Sequence, residues 1–461
     1  MRRPKRLILN AFSMNCVSHI QQGLWVRDDT RQLEYAGLAP WLELARLLER
    51  GGFDTLFLAD VMGLYDTYRG GGETSIREGM QVPANDPMLL IPAMASVTEH
   101  LGFAFTSSVY QAHPFTFARQ CSTLDHLTGG RVGWNIVTTY LPNAMENLGL
   151  DDLPDHDGRY DYADEYLEVG YKLWEGSWED DAVLADRSRR IYADPAKVHR
   201  IDHVGPHFRV AGPHLCEPSP QRTPLLFQAG SSDRGREFAA RHAEGVFVIT
   251  SRTALAAGTG PVPDIRRRAA AYGRDPDDIA FFQGLSIIVG GTEAEARAKE
   301  ATYLEQLSTD GALAHLSGAL GVDLGAYDPD APLESFRGQA MQGVVRGLLE
   351  NAPEGTRTFR DLMRANMAGQ FLTGTPEQVA DALADWGEAG IDGFNLVYST
   401  TPGTFVDIID GVVPVLRERG LLEDGYRPGP LREKLFGTPR LPDRHPGAVH
   451  RRGVRARPAS S

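Results

Sequence analysis

An α/β fold whose parallel strands close into a barrel is what this sequence predicts, and three observations predict it. Apolar runs of strand length alternate with stretches of helical period along most of the chain. The strand runs are apolar throughout rather than alternating, as in a parallel sheet covered on both faces. Eight strand–helix pairs can be traced. That number favours a closed TIM-type (β/α)8 barrel over an open doubly wound sheet, and 461 residues fit such a barrel with insertions.

Residues 7–11 read as the first strand. The period of Leu42, Leu44, Ala45, Leu47 and Leu48 makes a helix of 41–50, ended by Gly51-Gly52. Residues 55–59 (TLFLA) form the second strand. Asp86 before Pro87 starts a helix over 87–100. The third strand is 103–107, followed by a helix over 115–127, and the fourth is 131–137. A helix over 160–174 leads into an insertion at 178–222, whose Gly-Pro turn between apolar-polar stretches predicts a hairpin. Strands over 225–228, 245–250 and 279–289 come next, interleaved with helices over 235–243, 264–272 and 293–307. A second insertion, 308–370, is irregular and Gly-rich, as active-site lids are. A helix from Thr375-Pro376-Glu377 to Glu388, a strand over 393–398 and a helix over 405–417 complete the barrel. The fold is thus one barrel domain over 1–423 with insertions after strands four and seven. Residues 424–461, rich in Arg, Pro and Gly, read as a surface arm with a disordered tail.

The bulk properties exclude several classes. A net charge of −14 argues against a nucleic-acid binder. Three cysteines, Cys16, Cys121 and Cys216, give no disulfide framework or zinc spacing and suit a cytoplasmic protein. The apolar run 7–9 is too short for a signal or membrane segment. No Gly-x-Gly-x-x-Gly turn, Walker A loop or Gly-x-Ser-x-Gly elbow is present. His199, His203 and His207 fit a solvated hairpin or a metal site, and the hairpin is the reading adopted.

Barrel chemistry sits at the C-terminal ends of the strands. There the sequence places Cys16 and His19 after strand one, Asp60 and Tyr65 after strand two, and Thr106 in strand three. Asn135, Thr138 and Thr139 close strand four. After strand five comes Ala229-Gly230-Ser231-Ser232, whose glycine, hydroxyls and helix-start N–H groups suit a phosphate. The rival reading is an ordinary N-cap by Ser231 or Ser232.

These residues lie in longer stretches that resemble one family. NAFSMNCVSHIQQGLW from Asn10, FLADVMGLYDTYR from Phe57, HPFTFARQCSTLDHLTGGRVGWNIVTT from His113, DHDGRYDYADEYLEVGYKLWEGSWED from Asp155 and QAGSSDRGREFAA from Gln228 are similar to the bacterial-luciferase-like flavin monooxygenases. The resemblance runs from about residue 7 to 442. It is to the branch of nitrilotriacetate monooxygenase component A and dibenzothiophene-sulfone monooxygenase, nearest the long-chain alkane monooxygenase type. It implies FMN, taken as reduced FMNH2 from a separate NAD(P)H:flavin reductase, with O2 as co-substrate. It implies Ser231, Ser232 and Tyr160 on the FMN phosphate. Asp60, Thr106, Asn135, Thr138 and Thr139 would line the isoalloxazine and ribityl chain, and the ends of strands two to five would converge on that one flavin. His19, His315, Cys16 and Tyr65 would stand beside the reacting face.

A small organic substrate and a homodimer or homotetramer follow from the same resemblance, while the net charge and the short apolar run already speak against nucleic-acid and membrane partners. Terminal hydroxylation of a long-chain alkane is the first expectation. An aminopolycarboxylate, an aryl sulfone or a biosynthetic intermediate is an alternative substrate, and a deazaflavin-dependent oxidoreductase or a non-catalytic flavin-binding protein an alternative class. Three departures bear on substrate. Tyr140 stands where the alkane pattern has histidine, Ser231 where it has methionine, and 308–370 matches little beyond Ala314-His315.

Overall fold

The computed structural model describes residues 6–150, 153–333, 356–369 and 371–452. Its parallel strands, in chain order, are β1 (Ile8–Met14), β2 (Thr55–Ala59), β3 (Gly102–Ser108), β4 (Val132–Val137), β5 (Leu225–Gln228), β6 (Gly245–Val248), β7 (Ala280–Val289), β8 (Phe371–Gly374) and β9 (Gly393–Val397). The main helices are α1 (Leu38–Gly51), α2 (Pro114–Thr128), α3 (His156–Trp174), α4 (Asp233–His242), α5 (Pro261–Ala271), α6 (Glu293–Gln306), α7 (Thr309–Leu320) and α8 (Pro376–Glu388). The chain divides into two compact units, each built from three stretches of sequence.

The first unit holds residues 1–90, 139–153 and 283–424, with strand order β2-β1-β9-β7-β8. Leu9, Ala11, Leu56, Leu58, Phe394 and Leu396 are fully buried. One polar rung crosses this apolar sheet. Thr55 Oγ1 donates to Asn10 Oδ1 at 2.6 Å and Asn10 Nδ2 donates to Asn395 Oδ1 at 2.9 Å, between residues that the parallel register sets side by side. Buried amides are tolerated when they satisfy one another in this way. Strand β8 was not foreseen. Its four residues pair in parallel with Ser286–Val289 of β7, and four residues between a Gly-rich segment and a helix carry no period to read.

The second unit holds residues 91–138, 154–282 and 425–461, with strand order β3-β4-β5-β6. Trp134 of β4 packs against Phe117 of α2 and Tyr166 of α3, with ring centroids 4.5 and 5.9 Å away. The 178–222 insertion forms two hairpins, Val183–Asp186 with Ile191–Ala193 and His203–Val204 with Arg209–Val210. His203 sits between Glu165 Oε1 (3.1 Å) and Lys172 Nζ (2.9 Å), and His199 pairs with Glu179 (2.8 Å). These ring nitrogens therefore tie the insertion to α3 and to itself.

The helix expected over 87–100 is shorter. Asp86 does cap it, accepting from Met88 N at 2.9 Å, but it runs as a 3-10 turn, Pro87–Leu90, and a helix, Ile91–Ala95. Ser96 and Thr98 return their hydroxyls to the carbonyls of Ala93 and Met94. The Arg131 guanidinium takes the carbonyls of Ala95, Thr98 and Leu101. Side chains that compete for carbonyls in this way end a helix.

The surface arm expected from residue 424 is corrected over 425–452. Arg432, on helix Leu431–Phe436, is 0% exposed. It bonds Glu244 at 2.6 and 2.9 Å and the carbonyls of Thr223 and Pro224 at 2.9 Å. An Arg- and Pro-rich composition signals solvent only where the charges lack buried partners. Residues 453–461 of the expected arm and tail, and residues 334–355 and 370 of the expected lid, lie outside the described residues.

Arg432→Ala should lower stability by about 3–5 kcal/mol, because the buried Glu244 carboxylate is left uncompensated. Urea unfolding should show this, and the double change Arg432→Met with Glu244→Gln should recover part of the loss.

Candidate active site

In the first unit the chain leaving β1 is stitched to residues 79–85. Ser18 N donates to Gly79 O, Gln81 N to Ser18 O and Asn85 N to Asn15 O, at 3.0, 2.8 and 2.9 Å. Gln81 adopts a left-handed backbone, φ +51°. Its side chain joins two elements: Nε2 donates to the His19 carbonyl at 2.9 Å, and Oε1 accepts from the Tyr65 hydroxyl at 3.2 Å. The Tyr65 hydroxyl also bonds that of Tyr140. Tyr140 leaves 46% of its surface exposed while its hydroxyl reaches in to Tyr65.

His315, on α7, stands edge-on to the Tyr65 ring, with centroids 5.1 Å apart. Gly318, one turn further along α7, allows this approach. A Cβ there would lie 2.4 Å from Tyr65 Cδ1. The His19 ring is buried, edge-on to Phe12 at 4.6 Å, and its Nδ1 has no hydrogen-bond partner among the described residues. The Cys16 thiol donates to Ser18 O at 3.2 Å.

Burial decides the charge of these groups. It lowers His19 to about 3, with His315 adding to the effect, and His315 to about 4. It pushes the Cys16 thiol up, helped by the Asp60 carboxylate, and raises Tyr65 and Tyr140. At neutral pH the cluster is therefore two neutral imidazoles, two phenols and a thiol. It offers hydrogen bonds, but neither a resident cation nor a thiolate nucleophile. The half-buried Asp60 bears on Cys16.

The second unit gathers two further groups. Thr106 and Asn135 lie side by side in register, and Asn135 Nδ2 donates to Thr106 Oγ1 at 2.9 Å. Asn135 Oδ1 and Gln228 Oε1, on β4 and β5, are buried acceptors without partners among the described residues. Such orphans cost about 1–3 kcal/mol each unless a ligand supplies N–H donors, as the amide-like edge of an isoalloxazine does.

The other group centres on Tyr160, whose hydroxyl bonds the side chains of Ser232 and Thr138. Ser232 Oγ accepts from Gly235 N at 3.0 Å, so the N-cap and hydroxyl roles fall on one residue. A Cβ on Gly230 would meet the Tyr160 hydroxyl at 2.6 Å and Gln228 Nε2 at 2.3 Å. Glycine here lets these polar groups close on the backbone, and hydroxyls gathered at a helix start are a setting that suits a phosphate. Ser231 is exposed and contributes its carbonyl, which accepts from Arg236 Nε at 2.8 Å. Thr139 has a left-handed backbone, φ +58°.

The structure thus brings Cys16, His19, Tyr65 and His315 into one neighbourhood, Thr106 with Asn135 into a second, and Thr138, Tyr160 and Ser232 into a third. Sequence reading did not assign Gln81 or Gln228. A polar amide closing the apolar run of β5 was a usable signal for Gln228; for Gln81 there was none.

Solved structures with this architecture match nearly the whole chain. The crystal structure of DmoA from Hyphomicrobium sulfonivorans superposes with a TM-score of 0.91 at 46% identity, over 97% of this chain and 96% of that one. That of the long-chain alkane monooxygenase LadA does so at 0.89 and 50%, over 97% and 100%. The fold class is accordingly the closed eight-stranded parallel barrel with surrounding helices that the sequence predicts.

Residues 14–393 match the model of the luciferase-like monooxygenases, and the chain belongs to that family. Among curated relatives, the long-chain alkane monooxygenase of Geobacillus thermodenitrificans is 50% identical over 453 residues, 97% of this chain and 98% of that protein. The dimethyl-sulfide monooxygenase of Hyphomicrobium sulfonivorans is 47% identical over 453 residues, 97% and 94%. The protein is an oxidoreductase enzyme. Among the described residues no helix is long and apolar enough to cross a membrane.

The buried His19 and half-buried His315 imidazoles make stability depend on pH in a set direction. His19 and His315 have folded values below the ordinary 6.5. The unfolded chain therefore takes up protons that the native state refuses as pH falls below 6.5. Stability held at pH 7 should decline toward pH 4, by up to about 1.4 kcal/mol per pH unit for each histidine. Urea midpoints across pH 5–7 should show a shallower slope for His19→Asn with His315→Asn than for wild type; equal slopes would refute the assignment.

Proposed function

We propose that this protein is a two-component FMN-dependent monooxygenase that accepts reduced FMN from a separate flavin reductase. It uses O2 to place one oxygen atom in a neutral, apolar organic compound, with terminal hydroxylation of a long-chain alkane as the first candidate reaction. The observation that carries the substrate class is the uncharged state of the groups around His19. The Asp60 carboxylate, which bears on Cys16, would repel an anionic substrate such as an aminopolycarboxylate.

The residues present fit FMN. Asn135 Oδ1 and Gln228 Oε1 would accept from ring N–H groups, and Thr106 would orient Asn135. Ser232, Thr138 and Tyr160 would hold the phosphate, with Gly230 letting it approach the backbone. Asp60, Thr139 and Ser231 would line the remaining cofactor surface. A solved riboflavin lyase, described with modified FMN and riboflavin, is 38% identical over 97% of this chain with a TM-score of 0.86, which supports the choice of flavin.

When bound, reduced flavin supplies the electrons that activate dioxygen. The protein's part is position and exclusion of water. His19, whose Nδ1 has no partner among the described residues, and His315, as neutral imidazoles, would donate or accept one hydrogen bond at the reacting atoms without bringing charge. Tyr65 and Tyr140 would present a phenol to the substrate, and Cys16 would line the site as a protonated thiol.

Two experiments test this reading. Supplied with a flavin reductase, NADH and FMN under labelled dioxygen, the enzyme should transfer one labelled oxygen to a long-chain alkane or another neutral compound. Turnover of polycarboxylates alone, or no dioxygen consumption with any compound, would sink the proposal. Separately, Ser232→Ala should weaken FMN binding by about 1–3 kcal/mol, and Ser231→Ala should add little, since its side chain is exposed. Flavin fluorescence titrations measure both, with thermal melts monitoring the lost helix cap.

A further inference from the structure

Two buried donors in the second unit are left over by the phosphate cradle just described. Arg159 immediately precedes Tyr160 on α3. Its Nε is shielded from solvent, without a hydrogen-bond partner among the described residues, and no carboxylate among them pairs with its guanidinium. The Tyr110 hydroxyl, two residues beyond β3, is likewise shielded and unpartnered among the described residues. The Tyr110 ring is held against Tyr162, stacked at 4.5 Å with 8° between planes. The Arg159 charge acts on both the Tyr110 and the Tyr160 hydroxyl.

The neighbouring cations are engaged elsewhere. Arg234 is held by Asp161 at 2.9 Å and Asp164 at 2.6 Å. Arg236 reaches Asp264 at 3.4 Å and the Ser231 carbonyl at 2.8 Å. The acidic residues of the same turn are occupied too: Asp155 caps Gly158 N at 2.8 Å, and Asp157 pairs with His156 at 2.8 Å. A guanidinium that buries an N–H near the Tyr110 and Tyr160 hydroxyls, with no acid of its own among the described residues, is matched to an anion supplied from outside.

We propose that Arg159, assisted by Tyr110, is the charge-bearing part of the flavin phosphate site and selects the phosphorylated flavin over riboflavin; this rests on the flavin reading above. Ser232, Thr138 and Tyr160 offer hydrogen bonds that a neutral ribityl hydroxyl could accept as well as a phosphate can. Of the two guanidinium groups that act on Tyr160, Arg159 and Arg234, Arg159 is the one without a carboxylate partner among the described residues, and its planar fork suits two phosphate oxygens at once. Discrimination therefore belongs to Arg159, whereas the hydroxyls contribute to both flavins.

The test is a titration of oxidised FMN and of riboflavin, followed by quenching of flavin fluorescence, against wild type, Arg159→Gln, Arg159→Lys and Tyr110→Phe. Wild type should prefer FMN by roughly tenfold or more, and Arg159→Gln should remove roughly that preference. Riboflavin affinity should stay within about twofold, which also shows the variant to be folded. Arg159→Lys should keep part of the preference, and Tyr110→Phe should lose a smaller part, again from FMN alone. If Arg159→Gln weakens both flavins equally, or leaves FMN affinity unchanged, the role of Arg159 is overturned while the cradle stands. If wild type binds the two flavins equally, the phosphate cradle itself falls, and this inference with it.

Discussion

A polar atom taken out of water must find a partner, and this constraint organises the whole molecule. Most of each strand is apolar, so the few polar side chains on the sheets stand out by how they are satisfied. Asn10, Thr55 and Asn395 satisfy one another along a rung. Thr106 satisfies half of Asn135. Among the buried atoms left without a partner in the described residues are His19 Nδ1, Asn135 Oδ1 and Gln228 Oε1. They lie on or just beyond β1, β4 and β5, toward the strand ends where a barrel of this class does its chemistry.

The same constraint separates what could be read from the sequence and what could not. The barrel strands were legible because a strand buried on both faces is a continuous apolar run, and residues 55–59 or 132–137 can hardly be anything else. The Ser232 turn was legible as a helix start, because a hydroxyl ahead of a helix serves as an N-cap, as Ser232 does for α4. Contacts between distant residues were not. Arg432 looks like any surface arginine until Glu244, 188 residues earlier, is placed beside it. Helix Ile91–Ala95 looks longer in sequence because Arg131, which takes its terminal carbonyls, belongs to another element. Gln81 gave no local sign, since its value lies in joining His19 to Tyr65.

Charge is used sparingly around His19 and deliberately around Tyr160. Around His19, burial strips imidazoles, phenols and thiol of charge without a counter-ion being needed, which suits a substrate with little charge of its own. Tyr140 belongs to this economy: where the alkane pattern has an imidazole, a phenol bonds Tyr65 and keeps the wall neutral. Around Tyr160, arginines and aspartates pair off residue by residue, and the arginine left over is the one beside the hydroxyls.

The clasp between Arg432 and Glu244 has a consequence for biosynthesis. The second unit is assembled from three stretches, the last of them beginning only at residue 425, and its buried Glu244 meets its cation only near the C-terminus. A nascent chain leaving the ribosome therefore carries Glu244 without its counter-charge until synthesis is almost complete. Closure of that unit is a post-translational event, and a message truncated before codon 432 would yield a polypeptide whose strands are all present but whose second half cannot be sealed.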